Sequence, residues 1–194
     1  YIEAKDIKIF VADSFDAESI EKLSKSAKVI ISTVGPYIRY GINLVSACAH
    51  NGTHYCDLTG EVPFIRESID AYDEIANNNN SKIIHSCGFD SIPSDLGVLC
   101  LQSEAVKKYN ASLNEIKYYV KGTKGGLSGG TIASMIAISK YIKSKPNLSG
   151  LLGNPYALNS IDYNGPSISS LRSVEWDKDI ESWLAPFIMS GINT

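Results

Sequence analysis

Three short stretches concentrate the residue types that grip small molecules. They are Thr33-Val34-Gly35-Pro36-Tyr37, Asp57-Leu58-Thr59-Gly60-Glu61 and Gly88-Phe89-Asp90-Ser91-Ile92-Pro93-Ser94-Asp95. In the first, Gly35 lets backbone approach a flat ligand and Pro36 stiffens the turn, although an ordinary turn would use the same residues. In the second, Asp57 alternates with Cys56 and Leu58, and an acid inside an apolar run needs a partner or a ligand. Thr59 can cap the helix that follows, and Glu61 at its start suits the helix dipole. The third stretch opens a helix, with Asp90 or Ser91 as its cap and Pro93 in its first turn. Capping leaves Gly88, Phe89, Ser94 and Asp95 to be explained.

Other constellations are weaker. Cys48-Ala-His50 and His54-Tyr-Cys56 have zinc-ligand residue types, but one pair falls on a helix end and the other on a strand, so no metal site is expected. His85 and Cys87 share a strand face and have the types of a thiol–base pair; a buried structural cysteine is the commoner case. Lys124–Thr131 is glycine-rich and could cradle an anion at a helix start. It lacks the Gly-Lys-Ser/Thr ending of a nucleotide loop, and a flexible link explains it equally.

The elements that must position these residues alternate. Ile7–Val11, Val29–Thr33, His54–Leu58 and Lys82–Cys87 read as strands. Helical spacing runs through Asp16–Ala27, Tyr40–His50, Pro63–Ala76 and Ile92–Lys108, the last with Ile92, Leu96, Leu99 and Cys100 on one face. Asn51-Gly52 and the run Asn77–Asn80 are stops. Strands alternating with helices mean βαβ units and a parallel sheet, whose ligands sit where strands end. The first and third stretches therefore share one crevice, and Asp57 of the second either faces it or is held by a partner within the protein. Beyond residue 110 the pattern changes: Glu115–Val120 reads as a strand, Ile132–Ile142 as a helix, and Ser144–Ser170 as a long loop. Val174–Met189 follows with both tryptophans. The fold class is α/β: a partial Rossmann parallel sheet over residues 1–110, then the start of an α+β domain over 111–194.

Composition sets limits. The 194 residues are 44% hydrophobic and 20% charged, with a net charge of −3 and a pI near 5.6, so nothing basic points to nucleic acid. No apolar run reaches the roughly 18–20 residues of a membrane span. Four irregularly spaced cysteines read as reduced, buried thiols. No Gly-x-Gly-x-x-Gly follows any strand, and the chain opens on Tyr1, so it reads as a piece without its phosphate loop.

The ordered strings Ser-Thr-Val-Gly-Pro-Tyr, Asn-Gly-Thr-His-Tyr-Cys-Asp-Leu-Thr-Gly-Glu, Cys-Gly-Phe-Asp-Ser-Ile-Pro-Ser-Asp-Leu-Gly and Gly-Gly-Leu-Ser-Gly-Gly-Thr-Ile-Ala-Ser resemble the saccharopine dehydrogenase-like oxidoreductases, which include the trans-acting enoyl reductases. The resemblance covers about Lys8 to Thr194, except for the 144–172 loop. It implies a Rossmann domain followed by a substrate or dimerisation domain, with a Gly-rich first portion and a C-terminal end that this chain lacks. It implies NAD or NADP as cofactor. Thr33, Val34, Gly35, Pro36 and Tyr37 would lie along the ribose–nicotinamide part. Asp13 would stand near the adenine or simply in a helix-entry turn. Asp57, Thr59, Gly88, Phe89, Asp90, Ser91, Ser94 and Asp95 would border the substrate, with no catalytic residue assigned. The implied substrate is lipid-linked or otherwise apolar, and Trp176, Trp183, Phe187 and Met189 could line its pocket unless they pack as core. An intracellular location follows, cytoplasmic or at a membrane or lipid-droplet surface, and a homodimer fits. The piece alone would be inactive. The other reading is a lipid-associated scaffold that keeps the fold without turnover.

Overall fold

A computed structural model describes residues 7–122, 124–126, 128–160, 163, 165, 171–187 and 190. Three parallel strands, β1 (Val29–Ser32), β2 (His54–Asp57) and β3 (Ile83–Ile84), lie in chain order. Val29 pairs with His54, Ser32 with Asp57 and Tyr55 with Ile83. Helix α1 (Ala17–Lys25) precedes β1. Helices α2 (Tyr37–Tyr40) and α3 (Ile42–Asn51) link β1 to β2, and α4 (Val62–Asn78) links β2 to β3. This α/β arrangement is consistent with a partial Rossmann-like fold.

Local chemistry sets the boundaries. The Asp16 carboxylate accepts from Glu18 N and caps α1, whose last turn carries Lys22 and Lys25. The helix expected over Tyr40–His50 starts earlier and divides at Gly41, where a side chain would press on the Phe64 ring. Gly52 ends α3 in the left-handed region at φ 69°, as Asn-Gly suggests. Pro63 sits in the first turn of α4, where its missing N–H costs nothing.

Strand side chains alternate, so the sheet has two unlike faces. Ile30, Tyr55 and Ile83 meet Val45 and Cys48 of α3 and Phe64 and Ile65 of α4 in the core. On the other face Val29, Ile31 and Ile84 stay exposed, Ile31 at 73%. Burial pushes the Cys48 thiol from an ordinary value of 9.0 up to about 12. Of the expected buried thiols only this one is enclosed: Cys56 is half-buried, Cys87 and Cys100 are exposed, and all four are free.

The later part departs most from expectation. Helix α5 (Ile92–Tyr109) forms, but its stripe is uncovered: Leu96 and Leu99 stand in solvent and Ala105 is its buried residue. Ile7–Val11 is exposed and forms no strand, because a strand needs a neighbour to bond and none lies beside it among the described residues. Glu115–Val120 forms no strand either. Its side chains reach out instead, Lys117 to Asp179 at 2.6 Å and Tyr119 to Asp177 at 2.9 Å. The expected long loop begins as a 3-10 helix, Pro146–Gly153, after α6 (Gly129–Ser144).

The tryptophan cluster is not core. Strands β4 (Glu175–Asp177) and β5 (Ser182–Leu184) form an antiparallel hairpin that pairs Trp176 with Trp183 edge to face at 5.5 Å. Trp183 is 68% exposed and Phe187 half-buried, while Met189 lies outside the described residues. Among the described residues no helix is long and apolar enough to cross a membrane.

Candidate functional site

The loops leaving β1, β2 and β3 converge at one end of the sheet, and each is pinned by a buried acid of the middle loop. Asp57 holds two of them. Its Oδ1 accepts from Thr59 N at 3.0 Å and from Ser86 N at 3.1 Å; its Oδ2 accepts from Tyr55 Oη at 3.0 Å and meets His85 Nδ1 at 2.7 Å. Burial first, and then the Asp57 charge, push the Tyr55 phenol far up, so Tyr55 stays a donor. Asp57 thus has the partner a strand acid requires, and that partner is protein on all sides.

Glu61 holds the remaining loop. It is 2% exposed. Oε1 accepts from Tyr37 N at 2.9 Å and from Ser134 Oγ of α6 at 2.7 Å, and Oε2 accepts from Ile38 N at 2.7 Å. The acid serves a helix dipole, as its position suggests, but that of α2 and not of its own helix. Thr59 accepts from Glu61 N through Oγ1 at 3.1 Å and so fixes the start of α4. Sequence reasoning missed this reach across loops. Nothing in the spacing of Glu61 and Ser134 announces it, since they stand 73 residues apart.

The remaining candidates sort by environment. Thr33, Val34 and Gly35 are exposed at the tip of the first turn, with Pro36 behind them after a cis peptide. Tyr37 is buried, donates to Ser32 O at 3.0 Å, and has its phenol pushed up chiefly by burial. A Cβ built on Gly35 would meet Tyr37 ring carbons at 3.5 and 3.6 Å and Ser134 Oγ at 3.8 Å, ordinary contacts that the protein would tolerate. Internal packing therefore does not demand glycine there. Gly88 is the opposite case: a Cβ would come within 2.8 Å of Leu58 Cβ, so glycine is what lets the second and third loops touch. Phe89 and Asp90 are exposed beside it. Ser91 occupies the cap position of α5 but makes no side-chain cap bond; Ser94 is half-buried and Asp95 is exposed in the first turn. Asp13 stands apart, with its Oδ1 accepting from Phe15 N at 2.9 Å in the turn that enters α1.

Two sequence pairings come apart. Ser86 takes a left-handed φ of 59°, and the Cys87 thiol points at the backbone carbonyls of Ile84 and His85. His85 instead meets Ser68 Oγ through Nε2 at 2.9 Å. Ser68, His85 and Asp57 are wired like a nucleophile triad. Ser68 lies in mid-helix at 3% exposure, and the chain of bonds ties α4 to the strand ends. The mooted zinc ligands scatter as well: His50 Nδ1 meets Ser46 O, His54 Nδ1 accepts from Lys82 N, and no group of three metal-ligating side chains occurs among the described residues.

The first turn leaves Thr33, Val34 and Gly35 exposed, and it does not suit a phosphate, because the Tyr37 and Ile38 amides are already taken by Glu61. Comparison with known proteins adds direction. The trans-acting enoyl reductase of Mycobacterium ulcerans (strain Agy99) is 40% identical over 200 residues, 98% of this chain and 48% of its own length. That of Mycobacterium tuberculosis (strain ATCC 25618 / H37Rv) is 39% identical over 199 residues, again 98% of this chain and 48% of the relative. Rv2449c of the same strain, which bears that description provisionally, is 40% identical over 194 residues. The chain is similar to trans-acting enoyl reductases. It spans about half the length of these curated relatives. No family model matches it, and no solved structure does.

Proposed function

We propose that this chain carries the crevice of an NAD(P)H-dependent enoyl reductase that acts on a lipid-linked or similarly apolar substrate. The observation that carries the reading is identity of 39–40% to proteins named trans-acting enoyl reductases along 96–98% of the chain. The Gly35 turn supports it. The turn leaves Thr33, Val34 and Gly35 exposed, and its glycine answers no internal steric need. The nicotinamide, when bound, would supply the hydride. The chain's own contribution is placement. Thr33, Val34 and Gly35 would hold the ring and ribose, and Glu61 would keep the turn rigid by occupying both amides behind it. Asp57 would set the second and third loops, so that Phe89, Asp90 and Ser94 border the substrate. Exposed Val34, Leu58 and Phe89 give that border an apolar character. Contact with a lipid surface and pairing into a homodimer belong to the same proposal.

The test is Gly35→Ala in the full-length protein. Its melting temperature should stay at the wild-type value, because the added methyl makes only ordinary contacts. Affinity for NADH or NADPH, whichever binds the wild type, should fall by roughly tenfold, the equivalent of about 1.4 kcal/mol. Reduction of a long-chain 2-enoyl thioester should fall with it. Unchanged nucleotide affinity in a folded variant would reduce the turn to a plain connection.

A further inference from the structure

The Glu61 carboxylate joins the Gly35 turn to α6. Two of its three bonds come from consecutive amides of the Gly35 turn, and the third comes from Ser134 on α6. We infer that Glu61 and Ser134 make α6 a working wall of the crevice: Glu61 is a positioning residue through which occupancy of the Gly35 turn and the seating of α6 depend on each other. The inference rests on the nucleotide reading of that turn.

The argument is one of donors and levers. A carboxylate buried this deeply needs donors on both oxygens. Oε2 accepts from Ile38 N alone, whereas Oε1 accepts from both Tyr37 N and the Ser134 hydroxyl. Removing the hydroxyl leaves Glu61 satisfied by the turn and frees only α6. That helix has a second tie two turns on, where Tyr141 Oη donates to Glu67 Oε2 at 2.8 Å and accepts from Lys145 Nζ at 2.6 Å. The far end of α6 is thus fixed to α4 independently, and the near end is fixed through Glu61. The Ser134 hydroxyl also lies 3.8 Å from where a Gly35 Cβ would stand. A ring resting on Gly35 therefore rests beside Ser134. Filling the turn presses Glu61 and Ser134 together, and α6 tightens with it.

Amide hydrogen exchange on the full-length protein reads this directly. In the wild type, a saturating nucleotide should slow exchange in residues 131–136 by roughly tenfold, about 1.4 kcal/mol of added protection. In Ser134→Ala the nucleotide should still bind, but this protection should vanish. Tyr141→Phe, which keeps the near tie, should retain it. Protection of α6 that survives in Ser134→Ala, or that is missing in the nucleotide-saturated wild type, overturns the inference. If the wild type takes neither NADH nor NADPH, the cofactor reading is what falls. The coupling is then read without ligand. Glu61→Gln should speed exchange both at Tyr37–Ile38 and in α6, and a change confined to the turn overturns the coupling. Should Glu61→Gln fail to fold, Ser134→Ala alone must speed exchange in α6 while sparing the turn, and unchanged α6 exchange is the overturning result.

Discussion

Residues 16–87 and residues 92–187 are held by different forces. The earlier region buries Ile20, Tyr37, Val45, Cys48, Tyr55, Phe64 and Ile65 between one sheet face and its helices. In the later region the buried apolar residues, among those described, are Ala105 and Ala157. Apart from Leu158, which packs against the core, its ties to the earlier region are side-chain bonds: Ser134 to Glu61, Tyr141 to Glu67, and Arg66 to the carbonyls of Ala157 and Asn159. The difference teaches where rigidity is to be sought. Apolar burial gives the crevice loops a firm base, while polar ties hang a second wall beside it that can be loosened one bond at a time.

The contrast can be broken most sharply at Phe64. Its ring is fully buried against Tyr37 and His85 at 5.8 and 5.2 Å. Phe64→Ala should cost about 3–5 kcal/mol in urea melts. Leu99→Ala, in exposed α5, should change stability by no more than about 0.5 kcal/mol. Equal costs would mean that α5 has a cover of its own.

Alkali should strike the earlier region next. The Cys48 thiol keeps its proton in the fold to about pH 12, whereas an unfolded thiol loses it near 9.0. Below pH 9 both states are protonated and the group contributes no pH dependence. Above it the unfolded state binds fewer protons, so stability should fall by about 1.4 kcal/mol per pH unit toward pH 12. Cys48→Ala should shed about 1.4 kcal/mol per pH unit of the wild-type slope, the remainder belonging to the raised Cys87 thiol and the Tyr37 and Tyr55 phenols; a slope identical to the wild type's would assign the alkaline loss elsewhere.

The smallest effect sharpens the comparison from the other side. Arg66 donates to Asn159 O at 3.0 Å and pairs with Asp70 at 2.6 Å. Arg66→Met should lower global stability by about 1 kcal/mol or less, yet speed proteolysis around residues 146–159. Unchanged cleavage would show that Leu158, which packs against the core, is the real anchor.

The same division governs what could be read in the sequence. Where an element hides one face, residue period reports it: Val29–Thr33, His54–Leu58 and Pro63–Ala76 fall on β1, β2 and α4. Where attachment is polar, period says little. The stripe of α5 has the spacing of a buried helix and lies in water, and Glu115–Val120 has strand residues and hangs by Lys117 and Tyr119. That the loops after β1 and β3 emerge at one end was legible because parallel strands end on one side. The roles of Glu61, Ser134 and His85 were not, since each acts on a partner far along the chain that only folding brings near.

The bare face of the sheet has a practical side. Parallel sheets are ordinarily covered on both sides. Here Val29, Ile31 and Ile84 meet water, and the Trp176–Trp183 pair and the α5 leucines add to the wetted apolar area. A polypeptide of this length handled alone will behave as a mild surfactant. It will bind reporter dyes, cling to air–water and plastic interfaces, and cluster as its concentration rises, so dilution series belong in any study of its stability.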